Sequence, residues 1–115
     1  MSNPNEAKPA GLAPATVVAA AALAQYQDNA IVSREIVRKA EGGVTAFAFD
    51  AGERLSEHTA PFDAIAHVLE GEAEIRVSGQ PHRVQAGQMI LMPANHPHAV
   101  EAVKRFKMLL VMIRD

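Results

Sequence analysis

At 115 residues the chain has room for one hydrophobic core and not for two. Its net charge of -2, with Lys104-Arg105 and Lys107 as the only basic run, argues against a nucleic-acid surface. The lack of cysteine excludes thiol nucleophiles, zinc–thiolate sites and disulfides, and the lack of tryptophan argues against a stacking platform for bases or sugars.

Residues 1–15 are mostly polar, carry Pro4, Pro9 and Gly11, and read as a flexible arm. Residues 12–24 are apolar and alanine-rich, ending in a small-residue run that resembles the cleavage site of an export signal. Against that reading, Lys8 is cancelled by Glu6, Pro14 interrupts the run, and the stretch is too short to span a bilayer. The expectation is a short helix over residues 17–26, capped by Thr16, in a cytoplasmic protein.

From Ile31 onward the signals are β. Residues 31–37 mix Ile and Val with charges, and Glu41-Gly42-Gly43 is a turn. Residues 44–49 alternate small and large side chains, with Phe47 and Phe49 on one face. Residues 64–69 form a short apolar run, and residues 72–77 alternate glutamate or arginine with Ala73, Ile75 and Val77. Ser78-Gly79-Gln80-Pro81 is a hairpin turn. Extended pieces follow at His82–Val84, 88–92 and 98–103. The last run, residues 106–113, is too uniformly apolar for a strand with one wet face, so it is either central and covered on both sides or part of a subunit interface. Eight or nine short strands at regular spacing predict an all-β sandwich or barrel.

Two stretches run from a glycine turn to a histidine. Gly52 is followed by five residues and His58, and Gly71 closes that stretch; Gly87, Pro93 and His98 mark the second. This double spacing resembles the two motifs of the cupin superfamily, small jelly-roll barrels, over about residues 31–113. The resemblance implies a single barrel domain at residues 16–115 and a homodimer. In metal-binding members three histidines and a glutamate converge on iron, manganese, nickel or zinc. Here the second histidine of the first motif falls on Ala60 and the glutamate on Ala64, leaving His58 and His98. The motif's second glycine is Asn95, a residue that tolerates a left-handed backbone.

Two imidazoles bind divalent ions weakly, and a catalytic metal usually has three protein ligands. No cofactor is therefore expected beyond a weakly bound divalent metal. Asp63 is a candidate third ligand only if a loop turns it inward, because one residue of offset in a strand reverses the face. By the same alternation His67 points outward if Ala64 points inward. His96 reads as an exposed loop residue, and nothing marks His82 as chemical. The alanines open space that His58, His98, Met92 and Phe49 would line, a setting for a small organic ligand. The alternative to this binding module is a metal-dependent oxygenase or isomerase using His58, His98 and Asp63 or His67. A third reading is a structural partner of a larger enzyme or regulator. No membrane or nucleic-acid partner is expected.

Overall fold

A computed structural model describes residues 11–114. Nine strands lie among them: β1 (Ile31–Lys39), β2 (Gly42–Phe49), β3 (Arg54–His58), β4 (Asp63–Glu70), β5 (Glu72–Val77), β6 (Gln80–Gln85), β7 (Met89–Met92), β8 (His98–Ala102) and β9 (Phe106–Ile113). They form a five-stranded sheet in the order β1-β2-β9-β4-β7 and a four-stranded sheet in the order β3-β8-β5-β6. Every pairing is antiparallel. The all-β expectation holds.

The core follows from alternation. The inner face of the large sheet offers Phe49, Ala64, Ala66, Val68, Phe106 and Met108, and that of the small sheet Ala73, Ile75, Val84, Val100 and Ala102. Both sets are buried in one cluster, and the Phe49 and Phe106 rings stack at 4.5 Å. The last apolar run is β9, bonded to β2 on one side and β4 on the other, as the central-strand reading requires.

The outer face of β2 is covered too. Ala46 and Ala48 are buried there under Leu23 and Ala24, beside Leu109 of β9. A polar clamp fixes this cover. Lys107 is almost fully buried, and its Nζ donates to the Ala21 carbonyl at 2.6 Å and lies 4.8 Å above the Tyr26 ring. The Tyr26 hydroxyl donates to Glu70 at 2.7 Å. Burial, first, and then the Glu70 carboxylate raise the Tyr26 pKa well above its ordinary value.

The expected helix over residues 17–26 is not formed; a 3-10 turn at Ala20–Ala22 stands in its place. Thr16 bonds the Pro14 carbonyl instead of capping, and Val17 is almost wholly exposed. Alanine propensity alone does not sustain ten residues of helix, and of residues 17–26 only Leu23, Ala24 and Tyr26 pack on the sheet. Of the arm expected at residues 1–15, residues 1–10 lie outside the described part. Among the described residues, no helix is long and apolar enough to cross a membrane.

The turns divide the motif glycines into two kinds. Gly52, Gly71 and Gly87 all have positive φ, at +83°, +78° and +86°. A Cβ on Gly52 or Gly87 meets open space, whereas one on Gly71 overlaps the Arg105 carbonyl oxygen. Gly87→Ala is therefore expected to cost about 1–2 kcal/mol in denaturant unfolding, from backbone strain alone. Gly71→Ala is expected to cost about 3 kcal/mol or more, because backbone must also shift.

Candidate functional site at the barrel mouth

β8 starts at His98, and its alternation sends His98, Val100 and Ala102 inward, all three buried. β3 lies beside β8 at the sheet edge. Leu55 stands opposite Val100, and a regular strand would then place Glu57, not His58, on the same face. A bulge between Leu55 and His58 inserts one residue and brings His58 opposite His98. The two imidazoles meet edge to face with centroids 4.3 Å apart and Nε2 atoms 3.1 Å apart. His98 is buried and His58 is exposed, so the pair spans from interior to solvent.

The other ring nitrogens fix the tautomers. His58 Nδ1 lies 2.8 Å from the Ser56 carbonyl oxygen, and His98 Nδ1 lies 3.2 Å from that of His96. A carbonyl only accepts, so each Nδ1–H donates. With both Nδ1 atoms so engaged, the two Nε2 atoms face each other. Two acceptors at this distance repel unless a donor or an electrophile joins them. The pair is thus a two-pronged acceptor, suited to a shared proton or to an O–H or N–H group of a ligand. Burial, and secondly the neighbouring His58, push the His98 pKa below its ordinary 6.5, while the bond to the His96 carbonyl opposes them.

The surroundings are apolar. β7 ends at Met92, and the loop after it leads into His98, so the Ala64–Met92 and Ala64–Met112 pairs lie at this end of the barrel. Phe47, Leu55, Val77, Ile90, Leu110 and Met112 face inward yet are only partly buried, unlike the residues deeper in the core. Ala60 sits in the β3–β4 turn, where its carbonyl accepts from Asn95 N at 2.8 Å and ties that turn to the loop before His98. Asn95 has φ +64°, the left-handed backbone expected of it.

Several candidates fall elsewhere. Phe49 is fully buried against Phe106 at the far end of β2, so its ring belongs to the packed core and not to the mouth. Met92 is almost fully buried as well, with its backbone beside Ala64. Asp63 is exposed on the outer face opposite Ile113, and its Oδ1 accepts from Ala94 N at 2.9 Å. Pro61-Phe62 does not turn it inward. His67 is on the outer face between Leu109 and Met89, His82 is exposed on β6, and His96 is in a loop near the Ser78 hydroxyl. Leu55 and Leu110 were not picked out as site residues in the sequence, although counting by twos from Phe106 reaches Leu110.

Two convergent imidazoles fall short of the three ligands that a tightly held metal needs. Among the described residues no cluster of three His, Cys, Asp or Glu side chains forms a metal-binding group.

Two packed antiparallel sheets with paired histidines at one end define a small jelly-roll barrel of the cupin type. A family model described as a cupin domain matches residues 46–113, and the chain belongs to that family. Among solved structures, a conserved protein of unknown function from Streptococcus pyogenes is 35% identical, with a TM-score of 0.87 over 91% of this chain and 92% of that one. A cupin 2 conserved barrel domain protein from Leptotrichia buccalis is 42% identical over 82% of this chain, with a TM-score of 0.80, and this chain covers 46% of its length. A cupin superfamily protein from Desulfitobacterium hafniense is 25% identical over 92% of this chain and 96% of that one, with a TM-score of 0.82. No curated protein matches the chain.

The His98 environment gives a signed pH dependence. Unfolded His98 takes a proton near pH 6.5, and folded His98 only at lower pH. Between those values the unfolded chain holds more protons, so this group's contribution to stability falls as the pH drops through 6.5 and below. NMR titration is expected to show His98 titrating below 6.5 and moving upward in His58→Ala.

Proposed function

We propose that the chain binds a small organic molecule at the barrel mouth without a strongly held catalytic metal. The observation that carries this reading is the His58–His98 pair, with both Nδ1 atoms anchored and both Nε2 lone pairs converging. The ligand it suits offers a hydroxyl, amine or protonated acid to the pair and a short apolar body to Leu55, Leu110 and Met112. The reading is of a binding or regulatory module, because general-base work needs a placed partner for the imidazole, and Asp63 is engaged with Ala94 on the outer face.

A metal-dependent reading has one specific observation in its favour. Nε2 atoms 3.1 Å apart match the spacing of two adjacent imidazoles on an ion bound at about 2.1 Å. No catalytic step is assigned through such an ion, since a third ligand is not in place.

The test is a panel of small alcohols, amines and carboxylic acids, read by NMR shifts of the two imidazoles and joined to elemental analysis of protein purified without chelators. Expected are hits that shift both rings, binding weakened about tenfold to hundredfold in His98→Ala, and metal well below one per chain. Stoichiometric iron, manganese, nickel or zinc, lost in His58→Ala, would overturn the proposal in favour of the metal reading.

A further inference from the structure

The outer face of the four-stranded sheet carries a cleft of about 460 Å³, within the roughly 300–1,000 Å³ of small-molecule sites. Alternation builds it. Leu55, Ile75 and Val100 point into the barrel, so Arg54, Glu74, Arg76, Ala99 and Glu101 point out. Ala99 is the floor, because its small side chain lies between Arg76 of β5 and the bulge of β3 that holds Glu57. The pairing sets Arg54 opposite Glu101, and Glu101 opposite Glu74. Further along this face the charges neutralise one another. Glu74 lies 3.8 Å from Arg76 and 3.9 Å from Arg83, and Arg83 bonds Glu72 at 2.7 Å. Arg54, Glu57 and Glu101 line the cleft and have no ion-pair partner among the described residues.

We propose that this cleft is a second binding site, for a free α-amino acid. Its unpartnered side chains are of both signs, so the ligand that complements them carries both signs as well. Arg54 and Glu101 stand directly across a strand pair, which puts their Cβ atoms about 5 Å apart. Such close neighbours suit an ammonium and a carboxylate borne on one carbon. The Arg54 guanidinium takes the carboxylate in two parallel hydrogen bonds, and the Glu101 carboxylate accepts from the ammonium. Glu74 strengthens the demand for the ammonium, because like charges directly across a strand pair destabilise it until a cation joins them. The side chain of the amino acid then lies over Ala99, between Glu57 and Arg76. A bare metal ion is a poorer occupant, since no group of three His, Cys, Asp or Glu side chains suited to one occurs among the described residues. The cleft is separate from the barrel mouth: Glu101 is on the outer side of β8, and His98 and Val100 are on the inner side.

NMR titration of the full chain with the common α-amino acids, each up to about 20 mM, tests this. At least one is expected to give saturable amide shifts at Ala99 and Glu101. Its N-acetyl and C-terminal amide derivatives, which each lose one charge, are expected to bind at least about tenfold more weakly. Arg54→Gln and Glu101→Gln are each expected to weaken binding at least about tenfold with unchanged far-UV circular dichroism. Arg38→Gln, on the exposed side of β1, is expected to leave it unchanged. Should Arg54→Gln unfold, Glu101→Gln decides. Absence of saturable shifts with every amino acid would overturn the proposal. So would binding that is indifferent to both cleft variants and weakened only in His98→Ala, which would place the amino acid at the barrel mouth.

Discussion

The structure depends on the first half of β9 being covered on both faces. Its inward residues, Phe106 and Met108, close the barrel core, and its outward residues, Lys107 and Leu109, receive residues 20–26. Burying a lysine on such a face is costly unless its ammonium finds partners. Here the Ala21 carbonyl, the Tyr26 ring and Glu70 at 3.8 Å supply them. A bulge between Val68 and Glu70 in β4 sets Glu70 opposite Lys107 and so serves the same clamp. The N-terminal segment is thus tied to the barrel by one charged residue in an otherwise apolar strand.

The site depends on a second bulge, in β3. Without it His58 would face away from His98, and the barrel mouth would hold one buried imidazole instead of a pair. An edge strand tolerates such an insertion because its outer side has no ladder to break. The two backbone carbonyls that hold the Nδ1 protons come from Ser56 and His96, each two residues before the histidine it orients. The pair is therefore oriented by local backbone on two neighbouring strands.

Much of this was legible in the sequence. Period-two patterns located the strands, the glycine spacings pointed to the family, and the apolar run at the end was readable as a central strand or an interface strand, of which the central place is observed. Asn95 was readable as a left-handed turn residue, since its chemistry and its place agree. The bulge at residues 55–58 was not, because a bulge leaves no mark in composition and reverses every side chain after it. The helix at residues 17–26 was overread: alanine content reports propensity, and the sheet's outer face, which was not visible, decided how much of the segment would pack. Phe49 was expected to line the space inside the barrel beside the histidines, because it shares a face with Phe47. Alternation fixes the face of a strand residue but not its depth along the barrel, and Phe49 lies at the deep end.

The central claim is that the His58–His98 pair receives a small organic molecule and not a firmly held metal. Native mass spectrometry of the full chain, purified without chelators, tests it most directly. The account predicts a bound mass in the range of a small organic molecule, captured from the cell or from an added panel and lost in His98→Ala. A single metal-ion mass on each chain, retained through dilution and lost in the same variant, would contradict it.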